Sequence, residues 1–194
     1  MNNNHDLDQA ASRFIAMLDE EEARIKRQES RLWTRIDLPM SLEEALSMLT
    51  KDELGHIRKN LNIKNVSQLS KQELVKELVR QIPLHMESKI KLFDESRHDL
   101  LDSLADGDGL LFDFDLEDDQ VEYFRGFGLF FSGLYKDQKV LFMPREISVA
   151  FKQMEEHSLH ALVARNTEHI HLTHGLLFYY GLLEFDQLAD MVSG

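Results

Sequence analysis

The chain has no cysteine, which excludes both a disulfide framework and a thiolate zinc site. A reducing cytosol is the expected setting. No run of about 18 apolar residues occurs, so no membrane span is expected. Residues Met1 to Asp6 lack the basic and apolar regions of a secretory signal, so no secretory leader is expected either. Glycine-rich phosphate loops are missing: there is no Walker-type loop, no G-x-G-x-x-G after a strand and no G-x-S-x-G elbow. Gly126-Phe127-Gly128 precedes an apolar run instead of following one, and reads as a turn. No cofactor and no enzymatic activity are therefore expected.

Positive charge is also scarce, and unevenly so. The chain carries a formal net charge of −13, divided as −2 over residues 1–40, +1 over 41–82 and −12 over 83–194. An acidic surface of that extent repels polyphosphate, so any nucleic-acid contact should fall on 41–82.

What is present is mostly helical pattern. Leu7, Ala11, Phe14 and Leu18, continued by Ile25 and Leu32, form the stripe of one long helix from about Asp6 to Arg35. Asp6 suits its N-cap, and Pro39 bars continuation past Leu38. The helix either docks on its own domain or pairs with a partner or a second copy, making a homodimer. Trp33 reads as a docking anchor.

Three capping boxes follow: Ser41-x-x-Glu44, Thr50-x-x-Glu53 and Ser70-x-x-Glu73. In each, the hydroxyl accepts from the third amide while the glutamate reaches back to the cap amide, so each marks a helix start. Between the last two, Asn62 to Leu69 is too polar and β-branched to continue a helix. Leu54, Ile57 and Leu61 should meet Leu74, Val75 and Leu78, with Ile63, Val66 and Leu69 plugging the small core from the loop.

Leu-Thr-Lys-Asp-Glu-Leu (49–54), the Leu61-Asn62-Ile63 exit and Leu-Ser-Lys-Gln-Glu-Leu-Val (69–75) resemble SAP-like and Rho N-terminal-like helix–extended loop–helix modules. The resemblance covers about a fifth of the chain and implies contact with DNA or RNA backbone, since helix N-termini attract anions. The surface it implies carries Lys51, Arg58, Lys59, Lys64, Asn65, Ser67, Ser70 and Lys71. Ser67 stands near the place of a loop glycine common in SAP modules.

After Pro83 the pattern reads as a helix from His85 to Leu104, ended by Asp106-Gly107-Asp108-Gly109. Leu110 to Leu116 alternates as a strand, with Phe112, Phe114 and Leu116 on one face and Asp113, Asp115 and Glu117 on the other. A short helix at Asp119–Arg125, a hairpin of 129–135 with 139–143, and a helix opened by Pro144 follow. This order resembles a winged-helix-like module, and the run Phe-Met-Pro-Arg-Glu-Ile (142–147) is similar to bacillary proteins with a C-terminal SEC-C metal motif, whose cysteines this chain lacks. Residues 156–194 read as the beginning of a further helical unit, cut short.

The expected fold is thus mainly α with a small β-hairpin: a helical N-terminal arm (1–40), a helix–extended loop–helix module (41–83), a winged-helix-like domain (84–155) and a partial C-terminal helical segment (156–194). Two chemical constellations stand outside that scheme. His157, His160, His169, His171 and His174 cluster with Glu168, but no H-E-x-x-H spacing is present and the i,i+3 pairs need a fold to bring them together, so no metal is assigned. The acidic run from Asp106 to Asp119 fails as an EF-hand, because residues 110 and 111 are both leucine where an oxygen ligand and a glycine belong. Asp113 and Asp115 lack a basic or hydroxyl partner for hydrolysis. The run reads as a solvated face or a surface meeting a basic protein.

The expected function is a non-enzymatic nucleic-acid-associated protein, the 50–82 module touching backbone and the acidic part touching protein. The alternative is a protein-interaction adaptor or regulator with no nucleic acid.

Overall fold

Three short helices start where the hydroxyl–glutamate pairs stand. The computed structural model describes the backbone of residues 3–154 and 156–193, and their side chains other than those of 3–12, 28, 156–158 and 193. Helices α2 (Leu42–Met48), α3 (Lys51–Asn60) and α4 (Lys71–His85) each open on a complete capping box. The glutamate carboxylates accept from the cap amides at 2.7, 2.7 and 2.8 Å. Between α3 and α4, Asn62 and Asn65 take φ of 56° and 64°, a region that asparagine tolerates better than most residues. Those two turns drop Ile63 and Val66 into the core.

Helix α4 runs through Pro83 instead of stopping there. The missing amide and ring clash cost about 3 kcal/mol, whereas fully burying an aliphatic side chain returns about 1.5–3 kcal/mol. Ile82 and Met86, on either side of Pro83, are both fully buried. Their burial outweighs the proline.

The stretch expected as one helix over 85–104 is two: α5 (Glu87–Ile90) and α6 (Glu95–Asp106). Asp94 ends the first run by capping the second, its carboxylate accepting from the Arg97 amide at 3.1 Å. The break is clamped from helix α9 (Glu156–Tyr180), where Asn166 Nδ2 donates to the Lys91 and Phe93 carbonyls, each at 2.9 Å.

A three-stranded antiparallel sheet has the order β1 (Leu110–Leu111), β3 (Gln138–Phe142), β2 (Phe131–Tyr135). Lys136 and Asp137 join β2 to β3 with φ of 51° and 62°, the doubly positive turn whose twist matches a hairpin. The expected 110–116 strand is only two residues long. Beyond Leu111 the arm leaves the ladder and lays Phe114 on the Trp33 ring, centroids 5.9 Å apart. Phe112, expected on the apolar face, is left 39% exposed. Residues 34–36 cover the free edge of β2, with Ile36 N donating to Leu134 O at 3.0 Å and Leu134 N to Thr34 O at 2.9 Å.

Helix α7 (Asp118–Arg125) packs on β2, α8 (Arg145–Lys152) follows Pro144, and α10 (Phe185–Ser193) folds back on α9. The chain is mainly α with this one small sheet. One contiguous buried cluster takes side chains from Leu32 to Val163, so all four sequence segments contribute to it. Helix α1 spans Asn3–Leu32 and stops short of Arg35, because Thr34 to Ile36 pair with β2. The helix begins at Asn3, so Asp6 lies inside it and is not its N-cap, and the Leu7 and Ala11 side chains lie outside those described. Phe14, Leu18 and Ile25 face solvent, and the stripe meets the body only at Leu32. Among the described residues no helix is long and apolar enough to cross a membrane.

Gly109 sets the entry to β1. Its φ is +79°, and a Cβ there would stand 2.6 Å from the Met143 carbonyl oxygen, whose own amide donates to Gly109 O at 2.8 Å. Gly109→Ala should therefore cost about 2 kcal/mol or more. Gly175→Ala, where nothing lies within 4 Å, should be neutral or mildly stabilising. Urea midpoints of the two variants make the comparison.

Candidate functional site

The residues expected to face phosphate do not form one uncommitted cationic edge. Lys51, Lys59, Lys64, Asn65 and Ser67 are exposed. Arg58 is half-buried and leans on the Ile63 carbonyl at 3.4 Å. Lys71 reaches the other way, its Nζ donating to Ser47 O at 2.8 Å at the end of α2. At the start of α4, the Ser70 amide and hydroxyl both donate to the Glu73 carboxylate, at 2.8 and 2.7 Å. Those bonds, the hydroxyl first, hold the Glu73 carboxyl below its ordinary range. The position an anion would take at this helix start already holds a charged carboxylate of the chain itself.

A second feature lies between α6, the arm after β1 and α7. It is a groove of about 830 Å³ with Leu100, Leu116 and Phe124 among its apolar lining and Asp99, Asp113, Asp115 and Asp119 among its acidic lining. Asp113 and Asp115 were expected to share a strand face; they lie outside β1 yet line the same groove. The groove already receives one guanidinium. Arg97 donates to Asp94 Oδ2 at 2.6 Å and sits 5.6 Å from the Tyr123 ring centroid. Beside it, the arm is anchored by Trp33, whose Nε1 donates to Asp118 Oδ1 at 3.0 Å under the Lys139 ammonium, 4.2 Å from the ring centroid. Trp33, 7% exposed, thus docks the arm and the end of α1 on the body, as expected of it.

The histidine cluster disperses. His171 and His174 are exposed on α9, His169 is half-buried, and the His157 side chain lies outside the described residues. His160 instead meets His98 of α6 edge-on, with centroids 5.8 Å apart and planes at 89°. His98 is 5% exposed, its Nδ1 lies 2.9 Å from Asp102 Oδ2, and its buried Nε2 has no hydrogen-bond partner. Leaving such a group unpaired costs about 1–3 kcal/mol. Both rings line a cavity of about 440 Å³ with Asp102, Asp106 and Lys152. Ligand atoms of His98, Asp99 and Asp102 also lie within 4.8 Å of one another. Sequence reading passed over His98, although the i,i+4 spacing His98–Asp102 on one helix was visible.

The far end of α9 and the turn that leads into α10 expose large apolar side chains, with Phe178 94% and Leu182 88% accessible. From Asn166 onward the chain has no lysine or arginine. No protein-family model, no curated protein and no solved structure matches this chain.

Proposed function

We propose that this protein is a non-enzymatic interaction adaptor whose acidic groove receives a basic, partly apolar segment of a partner protein. The observation that carries this reading is Arg97: the groove binds a guanidinium of its own chain between a carboxylate and an aromatic face. The remaining carboxylates, Asp99, Asp113, Asp115 and Asp119, are a counterpart for further cations, and the apolar lining rewards aliphatic or aromatic side chains between them. Complementary charge of this kind speeds encounter and selects partners. The order of α6, β1, α7 and the β2–β3 hairpin supports a winged-helix-like reading of 84–155. Asp118, Asp119 and Glu122 on α7 weigh against that unit entering a DNA groove. The exposed stripe of α1 supports a second contact, with a partner helix or another copy of the chain. A cytosolic setting fits the cysteine-free composition.

A second reading keeps the resemblance of 49–83 to SAP-like and Rho N-terminal-like modules. It is favoured by Lys51, Lys59 and Lys64, which are exposed and make no ion pair among the described residues. Three such contacts support only weak backbone binding that falls steeply with salt.

Co-purification from host cells, with and without nuclease, separates the two. For the adaptor, a protein partner survives nuclease, is lost with Asp113→Lys/Asp115→Lys, and is retained with Lys51→Glu/Lys59→Glu/Lys64→Glu. The reverse pattern, with nucleic acid recovered and stripped by salt, would replace the adaptor by the nucleic-acid reading.

A further inference from the structure

We infer that the end of α9 and helix α10 form a self-association surface, pairing with the same helical hairpin of a second copy of the chain. Leu159 and Val163 are buried, and Asn166 and Thr167 clamp α9 against the start of α6. From 168 to 180 the helix then runs on for about 20 Å. Over its last turn Leu176, Leu177, Phe178, Tyr179 and Tyr180 are consecutive, and at about 100° per residue they go all the way round the axis. A helix that is apolar on every side is a buried helix. Helix α10 covers one side, where Leu176, Leu183 and Leu188 are half-buried. Phe178, Tyr179, Leu182 and Phe185 remain more than four-fifths accessible.

Size and shape favour a second copy as the occupant. At about 150–250 Å² for a whole aromatic side chain, the exposed parts of Phe178, Tyr179, Tyr180 and Phe185 alone present roughly 600 Å². Leu172, Leu182 and Met191 bring the patch to about 800 Å², the area each partner gives to a stable interface and more than a monomer ordinarily leaves in water. One partner helix covers only one further side of α9. A second hairpin brings two helices, and the pair of hairpins closes as a four-helix arrangement. The polar groups are self-complementary: Tyr179, Tyr180, His171 and His174 supply donors, and the exposed Glu184, Asp186 and Asp190 supply acceptors. With no lysine or arginine from Asn166 onward, the surface lacks the cations that hold an amphipathic helix on an anionic membrane. Helix α1 offers the competing face, but Phe14, Ile15, Met17 and Leu18 are each little more than half accessible. The patch shares no residue with the acidic groove, so the dimer does not depend on the groove and carries two of them.

Sedimentation equilibrium of the full chain from about 1 to 100 μM tests the pairing. A dimer of twice the 22.6 kDa chain mass is expected. Phe178→Asp/Leu182→Asp should raise its dissociation constant about 100-fold or more. Both side chains stand largely in water, so the variant should keep the circular dichroism and Tm of a folded monomer. Phe14→Asp/Leu18→Asp should leave the dimer intact. So should raising salt from about 0.05 to 0.5 M, because apolar area carries the contact and salt screens the facing carboxylates. A monomer at 100 μM, a dimer indifferent to Phe178→Asp/Leu182→Asp, or one dissolved by salt or by Phe14→Asp/Leu18→Asp would each overturn the surface. A monomer that binds phosphatidylcholine vesicles, and loses them with Phe178→Asp/Leu182→Asp, would overturn it in favour of lipid.

Discussion

Phe93→Ala is expected to destabilise the protein by about 3–5 kcal/mol, lowering Tm by about 10 °C or more. Phe93 is 2% exposed and sits in the break between α5 and α6. Its ring meets Phe124 edge-on at 5.6 Å and Phe127 at 6.4 Å, and Tyr123 flanks it at 6.3 Å. Phe124 in turn stacks on Phe130 at 5.0 Å, which carries the contact to the start of β2. The Phe93 carbonyl is also one of the two held by Asn166 of α9. Removing the ring opens a cavity where α5, α6, α7 and α9 converge, and the clamped backbone cannot collapse to fill it. Phe93→Leu should recover part of the loss. Tyr123→Ala, at a residue 43% exposed, should cost far less. Urea unfolding followed by circular dichroism measures all three; a Phe93→Ala loss below about 1 kcal/mol would contradict this packing.

The elements legible in sequence are those whose chemistry is local. A hydroxyl and a carboxylate three residues apart specify a helix start whatever surrounds them, and Ser41, Thr50 and Ser70 each mark one. The β2–β3 hairpin is similar, since alternation and a short polar turn define it nearly alone. The misread elements depend on distant partners. Pro83 stays helical because Ile82 and Met86 are buried by other segments. The 112–117 arm keeps a strand's alternation, yet leaves the sheet because Phe114 finds Trp33 eighty-one positions away. Lys71 looked like a phosphate ligand until α2 packed beside α4 and offered it the Ser47 carbonyl. The buried contact of His98 with His160 was invisible for the same reason, since the second ring arrives on α9.

Glu53→Ala should be far more damaging than the same change in the other two capping boxes, by about 3 kcal/mol in absolute cost. All three glutamates bond their cap amide and hydroxyl, but only Glu53 also meets a buried cation. Arg125 Nη2 lies 3.1 Å from Glu53 Oε1, and the side chains are 11% and 23% exposed respectively. Burial alone would raise the Glu53 carboxyl; the Thr50 amide and hydroxyl, with Arg125 and Arg31, bring it below its ordinary value. Burial also disfavours the charged form of Arg125, and so lowers it, with Arg31 beside it, against the pull of Glu53 and Glu122. Without Glu53 the guanidinium keeps the Arg31 carbonyl at 3.3 Å and the field of Glu122, but loses its direct carboxylate. Glu53→Ala/Arg125→Met should cost less than the two single changes summed, since apolar replacement of both partners removes the stranded charge. The pH dependence carries the same signature. A carboxyl whose folded pKa is depressed contributes stability that is complete above its unfolded pKa of about 4.3 and disappears as pH falls through the folded value. Glu44, Glu73 and Glu77 are depressed too, so the unaltered protein should lose stability steeply below about pH 4.5. Glu53→Ala should flatten that acid limb while lowering the neutral plateau, and urea midpoints from pH 3 to 7 should show both changes together. An unchanged acid slope with a lowered plateau would mean that the stranded Arg125, and not the lost carboxylate, carries the whole effect.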